Sequence, residues 1–238
     1  MKLIYLLVAA LFLQSSSLFS QDYVFGVKAG LNNNTIGDIN SRGGSIAVGK
    51  PNEVFGPNKE ISYQIGAYFM AEFGSFFIRP ELNYVSLKNN YDFPLRKANW
   101  ETSKIEFPIL LGVEVFEPIS IYAGPSFNFF DEVILDGVQV TSFSDGGPDL
   151  EDKSISLNFG VMFRYNRFGI DLRYEISTNE TEEELLDINN SAYGVNLADL
   201  RVYKPKMLRL SLFIDLFRTD GTSLADLFKN DNNCGCPY

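Results

Sequence analysis

Two stretches of this chain concentrate groups that attract cations. "DEVILDGVQVTSFSDGGPDLED" (131–152) carries Asp131, Glu132, Asp136, Asp145, Asp149, Glu151 and Asp152, and no basic residue. "NETEEELLDINN" (179–190) adds Glu180, Glu182, Glu183, Glu184 and Asp187. Hard carboxylate oxygens suit Ca²⁺ or Mg²⁺. No EF-hand spacing is present, so a solvated acidic surface is the favoured reading and no metal ligand is assigned. Cys234 and Cys236 stand one residue apart near the end of the chain. A bond between them would be strained and easily reduced. A tail without chemistry suits them better than a metal or redox site.

Catalysis is argued against by what is missing. The chain has no histidine, which rules out a Ser-His-Asp arrangement. No glycine-rich loop follows a strand and opens a helix, so nucleotide binding has no support. A net charge of −10 speaks against nucleic acid, which needs a basic footprint. No catalytic or cofactor-binding residue is therefore assigned, no cofactor is expected, and the chain reads as a non-enzyme.

The remaining charged residues lie inside apolar segments with a period of two, which is the signature of strands with two unlike faces. In "ISLNFGVMFRY" Ile155, Leu157, Phe159, Val161, Phe163 and Tyr165 alternate with Ser156, Asn158, Gly160 and Arg164. Similar segments lie near 23–31, 61–73, 76–88, 102–116, 119–130, 168–177 and 206–217, eight in all. Each is long enough to cross a bilayer at a tilt. Short connections (Gly74-Ser75, Glu117-Pro118, Asn166-Arg167) alternate with long ones at 32–60, 89–101, 131–152 and 178–205. Such alternation is expected when one end of a barrel faces the periplasm and the other faces outside.

Aromatic residues fall on the greasy face near both ends. Tyr23, Phe73, Phe76, Tyr165 and Phe168 lie near the short turns. Tyr63, Tyr84, Phe107, Phe129 and Tyr174 lie near the long loops. Two outward girdles are what a lipid-facing barrel needs. The polar face holds Lys28, Arg79, Lys104, Arg164, Arg173 and Arg209, against Glu72, Glu81, Glu106, Glu114, Asp171, Glu175 and Asp215. These charges nearly cancel, as a packed polar interior requires. Eight strands leave room for little besides side chains, so no wide channel is expected.

The expected fold is all-β: an eight-stranded antiparallel up-and-down transmembrane β-barrel with short periplasmic turns and long extracellular loops. The alternative is a soluble periplasmic barrel of the lipocalin kind, binding an apolar ligand inside. Residues 1–20 read as a signal peptide, with Lys2 ahead of an apolar run too short to span a bilayer. The barrel is assigned to 21–217 and a periplasmic tail to 218–238, where Ser223 would cap one or two helical turns. "TEEELL" suggests another short helix at the outer rim. Pro80, Pro108 and Pro125 fall inside strands, where each removes a ladder hydrogen bond, so bulges are expected there.

"FGVKAGLNNNTI", "FIRPELNYVS", "IEFPILLGVEVF" and "IYAGPSFNFF", in that order, resemble successive strands of the PorT-like outer-membrane β-barrel family of Bacteroidota. The resemblance implies a Gram-negative cell outer membrane, no agreed enzymatic activity, and tolerance of Pro80 and Pro108. It also suggests a role as an accessory of type IX secretion. The 21 residues after Phe217 depart from the usual terminal aromatic. The partners expected are outer-membrane lipid and other envelope or secretion proteins, with the chain itself a monomer.

Overall fold

The computed structural model describes residues 21–42 and 53–222. The proposed signal peptide, the tail helix and the two cysteines lie outside them. In chain order the strands are β1 (Gln21–Thr35), β2 (Ile39–Ser41), β3 (Val54–Phe55), β4 (Pro57–Lys59), β5 (Ser62–Phe73), β6 (Phe76–Asp92), β7 (Lys97–Phe116), β8 (Ile119–Phe130), β9 (Ile134–Leu135), β10 (Lys153–Tyr165), β11 (Phe168–Ser177), β12 (Glu184–Asp187), β13 (Leu197–Leu200) and β14 (Lys206–Arg218). One helical turn, α1 (Asn190–Tyr193), precedes β13.

Eight long strands pair antiparallel in the order β6-β5-β1-β14-β11-β10-β8-β7, and β7 pairs back to β6. The ring is therefore closed, and each of its strands has two neighbours. Closure removes the free edges that a lone sheet would expose. Two-residue turns join β5 to β6 at Gly74-Ser75 and β10 to β11 at Asn166-Arg167. Gly74 (φ 63°) and Asn166 (φ 54°) take the left-handed conformation these tight turns need.

The prolines behave differently from expectation. No bulge occurs at Pro80, Pro108 or Pro125. Each sits where two residue pairs drop out of the ladder on one side, while the register beyond is unchanged. The other side stays paired: Pro80 with Ile109, Pro108 with Ser126, Pro125 with Leu157. A residue in a strand offers its N–H to one neighbour only, so proline weakens one seam and leaves the second intact. The register shifts lie elsewhere, at Phe25/Gly26 and Glu114/Phe116.

A larger correction concerns the long connections. They are not four separate loops. Strands β6 and β7 run past the ring, and β4 and β9 pair with them there. Opposite stands a second sheet, β12-β13-β2-β3. Ile39, Tyr91, Trp100, Leu135, Leu186, Val195 and Leu200 are buried together in one apolar core, which makes a head at the end of the ring away from the short turns. The head forms because segments read as polar loops contain buried apolar residues at short strand spacing. "TEEELL" contributes to strand β12 rather than a helix. The helical turn comes later, capped by Asn189 and stopped by Gly194 at φ 76°.

Candidate functional site

The ring's two faces are the chemically informative feature. Along β10, Leu157, Phe159, Val161 and Phe163 are exposed on the outside, while Ser156, Asn158 and Met162 are buried inside. The same alternation runs through the other ring strands. Leu111, Leu210, Leu212 and Phe168 are each more than half exposed. A continuous belt of this kind is unfavourable in water and favourable in hydrocarbon. Both aromatic girdles read from the sequence face outward, Tyr63 at 50%, Phe76 at 66% and Tyr165 at 67% exposure among them; Phe73 is half-buried.

The inside is charged and buried. Lys28, Arg79, Lys104, Arg173 and Arg209 are buried with Glu81, Glu106, Asp171, Glu175 and Asp215, five charges of each sign. Most partners reach across the ring. Arg173 on β11 donates to both carboxylate oxygens of Glu81 on β6, at 2.7 and 2.9 Å. Lys28 on β1 reaches Glu81 at 2.7 Å, and Arg79 lies 3.4 Å from Asp171. Nearer the head, Arg209 on β14 grips Glu106 on β7 and also pairs with Glu175. Lys104 sits 2.6 Å from Glu175 and 3.1 Å from Glu106. Buried charges are tolerable only when paired in this way.

Below these pairs an apolar layer fills the ring. Tyr68, Met70, Phe77, Leu110, Tyr122, Met162 and Phe213 are buried together there. Each of the four aromatics faces a glycine on the next strand: Tyr68 opposite Gly26, Phe77 opposite Gly112, Tyr122 opposite Gly160, Phe213 opposite Gly169. A Cβ on any of these glycines would land on the facing ring. The guanidinium of Arg79 lies 4.2 Å from the Tyr68 ring centroid, a cation–π contact. Tyr68 and Tyr122 donate their hydroxyls to Asp215 and Asp171.

At the end with the short turns, Arg164 pairs with Glu72. Glu114, expected inside, stands opposite the buried Ser120 on the inner face, yet it is exposed because it lines the open mouth at this end. Arg167, unassigned in the sequence, is buried here. It donates to the carbonyls of Asp215, Leu216 and Thr222 and to the Thr222 hydroxyl, tying down the end of β14. Its place in a turn dipeptide hid that role.

Comparisons with solved structures return outer-membrane β-barrel proteins. Neisserial surface protein A is 12% identical, covering 80% of this chain and 96% of its own, with a TM-score of 0.43. Ail of Yersinia pestis is 11% identical over 82% of this chain and 99% of its own, with a TM-score of 0.37. The TodX hydrocarbon channel is 10% identical over 78% of this chain and 54% of its own, with a TM-score of 0.33. No family model and no curated protein matches the chain. With similarity this low, the belt and the interior carry the reading themselves. The outer-membrane location read from the sequence is the one that satisfies both faces.

In the acidic segments, Asp145, Asp149 and Glu184 come within reach of a common ion, their oxygens within 4.8 Å of one another. Glu180, Glu182 and Glu183 line one open bowl with them, while Asp187 accepts from Thr141 on another part of the head. The lipocalin-like alternative fails on geometry. It needs an apolar interior, and this ring's apolar face points outward.

Proposed function

We propose that this chain is a non-enzymatic, eight-stranded transmembrane β-barrel of the outer membrane whose interior is closed and whose folded head is its working surface. One observation carries the reading: ten charged residues lie buried inside a ring whose outer face is apolar. That inversion suits a cylinder with lipid outside, and it suits no soluble fold. Ion pairs and aromatic rings occupy the interior, so passage of solutes is not its purpose. The absence of histidine supports the non-enzymatic reading.

The head has an apolar core of its own, which suits contact with another envelope protein. A role as an accessory of type IX secretion is the narrower form of this proposal, supported only by the sequence resemblance to PorT-like proteins. Fractionation combined with gel migration before and after heating tests the broad reading. Outer-membrane recovery with a heat-dependent shift is expected. A soluble periplasmic band that does not shift would overturn it.

A further inference from the structure

Where the ring meets the head, a bowl of 420 Å³ opens to solvent. Its rim is made by the acidic segments 145–151 and 180–184, and no lysine or arginine lines it. Its back wall is apolar, formed by Phe130, Leu150 and Pro205. Those three residues, with Ser154 and Ser177, also line a narrower chamber of 40 Å³ that reaches in under the head. The chamber has room for a small polar group and not for a whole ligand.

Two polar atoms in this combined cavity lack partners among the described residues. Asn34 lines the inner chamber at 5% exposure, and its Oδ1 accepts no hydrogen bond. At the rim, Glu184 accepts from the Asp149 backbone N–H through Oε2 at 2.7 Å, while Oε1 is unpaired. A buried acceptor without a donor is costly, and a donor from a ligand would relieve it. The cavity thus offers negative charge outside, an apolar wall in the middle and, at the far end, the unpaired Asn34 acceptor in a chamber that Lys104, Glu175 and Lys206 also line.

We infer that this cavity binds a small organic cation, an amine with an apolar body, whose ammonium sits among the rim carboxylates and whose far end donates a hydrogen bond to Asn34. The ammonium suits the rim because six of its seven carboxylates, Asp145, Asp149, Glu151, Glu180, Glu182 and Glu184, pair with no cation among the described residues, and Glu183 alone has a basic neighbour, Arg201 at 3.3 Å. Phe130 and Leu150 would cover the ligand's apolar body, as in most small-molecule sites. The inference does not depend on which membrane holds the ring.

Calorimetric titration of the full chain in nanodiscs tests it, with tyramine as probe. Tyrosol lacks the ammonium, and phenethylamine lacks the phenolic donor. Tyramine is expected to bind saturably at one site, and tyrosol about tenfold or more weaker. Asn34→Leu should weaken tyramine roughly five-fold and leave phenethylamine unchanged, the scale of one hydrogen bond. Glu184→Gln, on the rim, should weaken both amines and keeps the test open if Asn34→Leu fails to fold. Absence of tyramine binding, equal affinity for tyramine and tyrosol, or tyramine affinity untouched in both variants overturns the inference. Heat with Ca²⁺ and none with tyramine would make the rim a metal site instead.

Discussion

Arg173 and Glu81 meet fork to fork, although β11 and β6 stand on opposite sides of the ring, four strands apart in either direction. The pair spans the full interior. Arg209 on β14 and Glu106 on β7 repeat the arrangement, as do Arg164 on β10 and Glu72 on β5. Cross-braces of this kind hold a cylinder to one diameter and block a path along its axis.

Breaking one brace should leave a buried charge short of a partner. Arg173→Met leaves Glu81 buried with less neutralisation, and is expected to destabilise the ring by about 3 kcal/mol. Glu81→Leu also takes the partner of Lys28 and Arg79 and should cost more, while the double variant should be less unstable than the two single losses added together. Urea unfolding in micelles measures all three. A double variant as unstable as the sum of the singles would mean the two side chains do not interact.

The interior should not conduct. In planar bilayers the protein is expected to show no steps characteristic of a water-filled pore. Glu106→Ala with Arg209→Ala removes the brace nearest the head and should introduce small, irregular currents. Stable large steps from the unmodified chain would contradict a closed interior.

Position on the outer face should decide the cost of a new charge. Leu212→Arg places a guanidinium in the middle of the belt, for an expected loss of about 2–4 kcal/mol. Glu183→Lys in the head loses only an exposed pair with Arg201, 3.3 Å apart, and should change stability by no more than about 0.5 kcal/mol. Equal unfolding midpoints for these two variants would refute the assignment of faces.

The head should respond to pH through Glu184. Burial pushes this carboxyl up from 4.5 to about 7, with Asp149 and Asp145 adding to the effect and the Asp149 backbone N–H opposing it. The folded head then holds a proton that the unfolded chain releases near the ordinary value. Stability is fully present below about pH 4.5 and falls as the pH climbs through about 7. Trp100, the single tryptophan, is buried in the head core and reports its unfolding. Its midpoint in urea should fall between pH 5 and pH 8 by about the same amount in repeat preparations, and Glu184→Gln should flatten that part of the slope.

The strands of the ring were legible because period two is a strong signal over ten or more residues. β10 and β11 match the expected spans at both ends, and the inward charges were identified from alternation, although Glu114 lies at the mouth and is exposed. The head was not legible. Its strands run from two to four residues outside β6 and β7, too short for any period to show, and the acidic surface masks apolar residues such as Leu186 and Ile188. The apolar layer inside the ring was also only partly visible. By alternation Tyr68 and Met70 fall with the polar residues of β5, whereas Phe77 and Phe213 matter through the glycines opposite them, and that pairing depends on register.

Spin-label accessibility along β10 distinguishes a lipid-facing belt from a wetted one. With Cys234 and Cys236 replaced by serine, single labels at Leu157, Ser156, Phe159, Asn158 and Val161 are compared in lipid vesicles. Labels at 157, 159 and 161 should meet oxygen and not a water-soluble nickel chelate, and those at 156 and 158 should meet neither. Chelate access at 157, 159 and 161 would place that face in water and contradict the account; access at 156 and 158 would reveal an open channel in place of a closed interior.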